Sequence, residues 1–320
     1  MALTRRNLLL SAPALALFAA GPLRADSALQ VVATTGMIAD AARAIGGDAV
    51  EVRALMGPGV DPHSYRQTRT DIVAMTRADL TLVHGLYLEA QMEEFLGQLG
   101  ARATVVPVAE VIPHDLLRAH ADYDNKFDPH VWMDPELWKM PVAEVARALS
   151  AARPESAAQF DAAAAEYLST LDRLDAYARE VVATVPEGAR VLVTAHDAFG
   201  YFGRSYGFEV VGIQGISTES EAGLNRIREV VDLLVDRGIG AVFVESSVSD
   251  RNMRALIEGA AARGHEVRIG GELYSDAMGE PGTYEGTYPG MIDHNVTVIA
   301  GALGGTVPER GMDGKLKAGL

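Results

Sequence analysis

Short apolar runs alternate with stretches of helical periodicity along most of the chain. Residues 29–34 (Leu-Gln-Val-Val-Ala-Thr) predict a buried strand. Residues 37–45 carry apolar side chains at helical spacing and stop at Gly46-Gly47. Residues 50–55 predict a second strand, followed by the Gly- and Pro-rich loop 56–60. Helices are expected over 70–76 and 89–99, and strands over 80–83 and 104–108. Such alternation favours parallel α/β layers. From residue 154 the rhythm changes. Phe160, Ala164, Tyr167, Leu171, Leu174, Tyr177, Ala178 and Val181 recur at helical spacing, and no Gly or Pro falls between Glu155 and Val185. That predicts a helix of roughly 45 Å, long enough to form a stiff link between two halves. The second half resumes the α/β rhythm. Strands are expected over 190–194, 209–212, 241–245 and 266–269, with helices over 199–206, 221–237, 252–263 and 291–303. The last dozen residues, rich in Gly and charge, are expected to fray.

The N-terminus has a different pattern. Arg5-Arg6 precedes an apolar run over 8–20, too short for a typical membrane span, and Ala25 offers a small residue for cleavage. Residues 1–25 read as an export signal. The stretch Thr4 to Leu9 loosely resembles a twin-arginine signal, which is the alternative to export by the general secretory route. The expected division is thus 1–25 signal peptide, 26–150 N-terminal α/β lobe, 151–186 linking helix and 187–320 C-terminal α/β lobe. The fold class is α/β, with parallel sheets in two lobes and a ligand site at their interface.

Composition narrows the function. The chain has 320 residues and no cysteine, which excludes disulfides, thiolate metal sites, cysteine nucleophiles and a cysteine-linked lipid anchor. Residues 1–25 hold three Arg and no acid, so the remainder is three charges more acidic than the whole chain's −15. Nucleic acid and anionic membrane surfaces are poor partners for such a chain. No other segment is long and apolar enough to span a bilayer. The expectation is a soluble periplasmic monomer with no membrane insertion of the mature chain.

Candidate chemistry centres on a repeat. Asp-Pro-His occurs as Asp61-Pro62-His63 and Asp128-Pro129-His130, although the chain has only eight histidines. Proline restricts itself and the residue before it, so each imidazole is presented from a stiff turn. Imidazole is the commonest metal-binding side chain. His196 follows the expected strand at 190–194, and Asp276 lies beyond the strand expected at 266–269. Ligands of open α/β sheets bind beyond the carboxyl ends of strands, so a site between lobes would collect His63, His130, His196 and Asp276. Taken singly, each histidine also fits a hydrogen-bonded loop residue and Asp276 a helix N-cap. Asp61 and Asp128 suit turn formation or hydrogen bonding to an imidazole. Glu245, at a strand end, is a candidate acceptor behind a ligand. His84 reads as a buried strand-end residue, His114 and His120 as residues of an exposed loop, His265 as a surface residue and His294 as packing. Trp132 and Trp138 are expected to pack near the second Asp-Pro-His. No zinc-protease helix, Walker loop or nucleophile elbow occurs.

Four stretches carry a family resemblance: residues 56–63 (Met-Gly-Pro-Gly-Val-Asp-Pro-His), 127–132 (Phe-Asp-Pro-His-Val-Trp), 193–202 (Val-Thr-Ala-His-Asp-Ala-Phe-Gly-Tyr-Phe) and 271–279 (Gly-Glu-Leu-Tyr-Ser-Asp-Ala-Met-Gly). With them the chain resembles the TroA-like zinc/manganese solute-binding proteins of ABC importers, across nearly its whole mature length. The resemblance implies two α/β lobes joined by one long helix and a metal held between them by His63, His130, His196 and Asp276. It also implies delivery to a membrane permease driven by an ATPase, and no catalysis. Three imidazoles and a carboxylate suit Zn²⁺, and the Irving–Williams order places Zn²⁺ above Mn²⁺ at such a site. Manganese-dedicated relatives often carry Glu where His196 stands, and zinc-dedicated relatives a long His-rich loop where only His114 and His120 stand. The expected ligand is Zn²⁺ or Mn²⁺, with zinc favoured on ligand chemistry. The competing readings are a zinc-dependent hydrolase using Glu245 as base, a siderophore- or haem-binding protein built on the same helical spine, and a surface adhesion or partner-binding protein with metal as a structural staple.

Overall fold

The computed structural model describes residues 27–120 and 123–318; the expected signal peptide lies outside them. The first lobe runs β1 (Leu29–Ala33), α1 (Gly36–Gly46), β2 (Val50–Ala54), α2 (Arg69–Arg77), β3 (Leu80–Val83), α3 (Glu93–Gly100) and β4 (Val105–Pro107). Its strands form one parallel sheet in the order β2-β1-β3-β4. Then come α4 (Pro135–Ala152) and α5 (Ala157–Ala183). The second lobe comprises β5 (Val191–Thr194), α6 (Gly200–Tyr206), β6 (Glu209–Gly212), α7 (Leu224–Asp236), β7 (Ala241–Glu245), α8 (Arg251–Ala261), β8 (Arg268–Leu273) and α9 (Tyr288–Ala302). Here the strands pair in parallel as β5-β6 and β7-β8. Strands β3 and β5 are buried at every position, which is what helices on both faces of a parallel sheet demand.

The 27 residues of α5 span about 40 Å. Phe160, Ala164, Leu171, Leu174, Ala178 and Val181 form its buried stripe, the positions expected from periodicity. This helix packs against α1, α4 and α9. One apolar cluster therefore continues from the first lobe (Ile38, Leu82, Trp132) through α5 into the second (Phe202, Phe243, Ile292). A hydrogen-bonded junction reinforces it, with Asp40 Oδ2 accepting from Tyr167 Oη at 2.8 Å and from Tyr288 N at 3.0 Å.

Several expectations change. Helix α4 is absent from the sequence-based reading because Pro141 lies inside it and Pro135 opens it. Asp134 initiates it by accepting from Glu136 N and Leu137 N. The helix expected at 89–99 is a 3₁₀ turn, Ala90–Met92, followed by α3. Strand β8 runs to Leu273, past the expected end at 269. Gly270-Gly271 look like a stop but serve close packing, since a Cβ on Gly271 would lie 2.4 Å from Val298 Cγ1 of α9. Up to residue 318 the C-terminal segment is tied down rather than frayed. Asp293 accepts from Met312 N, Glu285 from Lys317 N, and Leu316 is fully buried.

Asp134 also accepts from Ser205 Oγ of α6 at 2.6 Å. Asp134→Ala is expected to destabilise the protein by about 1–2 kcal/mol through loss of the cap, read as a lower urea midpoint. An unchanged midpoint would show that α4 does not need its cap.

Candidate metal centre

Both Asp-Pro-His segments use the same local device. The aspartate side chain accepts from the backbone N–H two residues on: Asp61 Oδ1 from His63 N at 2.9 Å, and Asp128 Oδ1 from His130 N at 3.0 Å. This turn and the intervening proline leave the imidazole little freedom. The copies then diverge. Asp128 also contacts His130 Nδ1 at 2.8 Å, whereas Asp61 Oδ2 accepts from Thr218 Oγ1 of the second lobe at 2.6 Å. Asp128 is fully buried beside Arg118 Nε at 3.3 Å.

The second lobe presents its pair from strand ends. His196 lies two residues past β5, and Glu245, the last residue of β7, grips it twice. Glu245 Oε1 accepts from His196 N at 2.9 Å, and Oε2 meets Nδ1 at 2.5 Å. Asp276 follows β8 by three residues. Trp132 Nε1 donates to Ser275 O at 2.8 Å, tying the residue before Asp276 to the segment after His130.

These arrangements bring the four predicted residues together. His63, His130, His196 and Asp276 are all buried, and one potential ligand atom from each lies within 4.8 Å of the others. His63 Nε2 and His130 Nε2 are 3.2 Å apart. Asp276 Oδ1 is 3.4 Å from His130 Nε2, and Oδ2 is 3.3 Å from His196 Nε2. Carboxylates behind His130 and His196 accept at Nδ1, which places the proton of each neutral ring there and turns the Nε2 lone pair inward. Facing lone pairs at such distances repel unless a proton or cation lies among them. His196 Nε2 and Asp276 Oδ1 are buried without a hydrogen-bond partner, a costly state that a shared cation would relieve. Three nitrogens and a carboxylate are a fitting donor set for a divalent transition metal.

The charges are strongly coupled. Burial dominates at His63 and, despite Asp276, holds its pKa well below the ordinary imidazole value. At His130 burial acts the same way, but the hydrogen bond to Asp128 and the nearby Asp276 carboxylate together outweigh it and raise the pKa from 6.5 to about 9. His196 is lifted well above 6.5 because Asp276 and Glu245 together outweigh burial. Burial would raise Asp276, yet His196 and His130 hold it well below the carboxylate range.

The remaining histidines stay out of the cluster. His84 Nε2 donates to Pro129 O at 2.8 Å and packs edge-on to Trp132, so it buttresses the second Asp-Pro-His. Trp138 stacks on the same imidazole. His294 Nε2 donates to Glu272 O, and half-buried His265 to Ile239 O. His114 is exposed as expected. His120 is not: it is buried and close enough for its charge to depress His63. Sequence reasoning also left Ser247 and Thr218 without roles, because nothing local marks a hydroxyl that bonds a distant carboxylate.

Two parallel α/β lobes that each bring two potential donors to one buried cluster fit a solute receptor for a metal ion. The chain belongs to the ZnuA family, the periplasmic component A of a zinc-uptake complex, whose model matches residues 31–302. It is 49% identical over 279 residues to the manganese-binding lipoprotein MntA of Bacillus subtilis, covering 87% of this chain and 91% of that one. It is 46% identical over 279 residues to the zinc-binding protein TroA of Treponema pallidum, covering 87% and 90%. The solved structure of that TroA superposes with a TM-score of 0.83, covering 86% of this chain and 99% of the other. The protein is accordingly the substrate-binding component of an ABC metal importer, with a permease and ATPase as partners, and not an enzyme. The hydrolase and siderophore or haem readings are not favoured.

Glu245→Gln keeps the shape behind His196 but removes the charge. Metal affinity is expected to fall about 10–100-fold, measured by isothermal titration; equal affinity would mean that the Nδ1 partner has no influence on the site.

Proposed function

We propose that this protein captures Zn²⁺ or Mn²⁺ in the periplasm, with His63, His130, His196 and Asp276 as its metal ligands. The observation that carries this reading is the convergence of four buried donor atoms within 4.8 Å. In support, imidazole nitrogen and one carboxylate are the preferred set of Zn²⁺, which the Irving–Williams order also places above Mn²⁺. The names of the relatives point both ways, manganese for MntA and zinc for TroA; ligand chemistry makes zinc the tighter ligand, with manganese the alternative physiological cargo. The reading includes an N-terminal lobe over 26–150, a link over 151–186 and a C-terminal lobe over 187–320. It also includes export through residues 1–25 and action as a monomer that does not insert into a membrane. Among the described residues no helix is long and apolar enough to cross one.

Loading exchanges charge for charge. In the metal-free protein the surrounding carboxylates raise the pKa of both His130 and His196 and so favour their protonated rings. A protonated imidazole cannot ligate, so the ion enters as those protons leave. Because the pKa of His130 is raised, its proton is fully present below 6.5 and lost as pH rises through about 9. Affinity is therefore expected to rise through that window rather than level off near pH 7. Titration calorimetry at pH 7.5 in buffers of different ionisation enthalpy should show release of protons on ion binding. Release of none would contradict the protonation assignment.

His63→Ala and His196→Ala each delete a donor. Both should weaken Zn²⁺ and Mn²⁺ binding by more than the ~10–100-fold typical of losing a partner behind a ligand. Unchanged affinity for both ions in both variants, by the same calorimetry, would overturn the ligand assignment.

A further inference from the structure

Strand β7 and the turn that follows it meet the site at two points. The strand's last residue, Glu245, orients His196. Two residues later, Ser247 lies against the carboxylate of Asp276, with Oγ 3.2 Å from Oδ2 and 3.0 Å from Ser275 Oγ. A hydroxyl has one hydrogen. With that hydrogen on Asp276, the contact with Ser275 is made by the Ser275 hydroxyl donating to Ser247. Ser275 is fully buried, so this arrangement of the pair leaves neither donor wasted.

The two oxygens of Asp276 are consequently unequal. Oδ1 faces His130 Nε2 and has no hydrogen-bond partner; Oδ2 faces His196 Nε2 and accepts from Ser247. A hydrogen bond draws electron density from the oxygen that accepts it and restrains its position. Oδ1 is thus the stronger donor to an ion at the centre, and Oδ2 the weaker one. Asp276 can act as a one-oxygen ligand through Oδ1, giving three nitrogens and one oxygen, or as a two-oxygen ligand that adds a fifth donor. Zn²⁺ is satisfied by four donors in a tetrahedron, whereas Mn²⁺ favours more donors and more oxygen.

We propose that Ser247 is a specificity-determining positioning residue: by holding Oδ2 of Asp276, its hydroxyl biases the site towards the four-donor arrangement and so towards Zn²⁺ over Mn²⁺. This rests on Asp276 being a metal ligand. Ser247 would act on an ion through Asp276, and it is half-buried in the lining of a small polar cleft of about 170 Å³ that Asp61 and Thr218 also line. Removal of one hydroxyl there leaves the apolar core untouched.

The test compares the unaltered protein with Ser247→Ala and Ser247→Thr, each stripped of metal and refilled with Zn²⁺, Mn²⁺ or Co²⁺. Competition calorimetry gives the Zn²⁺:Mn²⁺ affinity ratio. The visible spectrum of the Co²⁺ form reports donor number, since tetrahedral cobalt absorbs far more strongly than five-coordinate cobalt. In Ser247→Ala the ratio should fall about three- to tenfold, the scale of one hydrogen bond, and the cobalt absorption should weaken. Ser247→Thr, which keeps the hydroxyl, should restore both and also controls for any folding defect in the alanine variant. An unchanged ratio and spectrum in Ser247→Ala, with metal still bound, would overturn the role of Ser247 alone. If the unaltered protein takes up none of the three ions, the ligand assignment fails and takes this role with it.

Discussion

Two buried carboxylates turned onto imidazole Nδ1 atoms are what the rest of this structure serves. Asp128 and Glu245 each hold one histidine by both its backbone N–H and its ring, which aims Nε2 at a common point. Burying two further anions around a site that already contains Asp276 is expensive unless each is paired. Around them the fold supplies the pairing: Arg118 beside Asp128, and the His196 backbone and ring for Glu245. The resulting excess of negative charge is unfavourable when the pocket holds neither protons nor a cation. Either protons or a dication would offset that charge, and on the proposed ligand assignment the competition between them sets the loading.

Much of this was legible in the sequence, for identifiable reasons. Strand ends are marked by abrupt loss of apolar character, which located His196 and Glu245. The Asp-Pro-His repeat carries its own geometry, because the turn forms between residues two apart and needs no tertiary partner. Interruptions misled where tertiary packing overrides local preference. Pro141 hides α4, and Gly270-Gly271 hide the continuation of β8, where α9 needs the space that a side chain would fill. His120 sits in a polar stretch yet is buried. The contacts Thr218 to Asp61 and Ser247 to Asp276 join residues 157 and 29 positions apart. No periodicity encodes such pairs.

The continuous apolar core through α5 constrains how the protein can move. Wide opening of the lobes would tear apart a cluster that includes Trp132, Leu171, Phe202 and Ile292, exposing apolar area on a scale comparable to unfolding part of a domain. Motion that frees an ion therefore belongs to loops at the interface. The first lobe's donors are stiffened by proline and Asx turns. The second lobe's loop 213–223 touches the first through Thr218 to Asp61 and Glu219 to Gln91, two polar contacts that water can replace.

The tryptophans give the site an optical consequence. The chain has two, both almost fully buried and both stacked or edged against His84. Trp132 also lies 5.2 Å from the His130 ring and donates to the backbone next to Asp276. Indole emission responds to the charge of neighbouring imidazoles and to strain in its own hydrogen bond. Trp132 thus emits from beside the proposed metal site, and arrival or departure of an ion there is expected to change the light that the unlabelled protein emits.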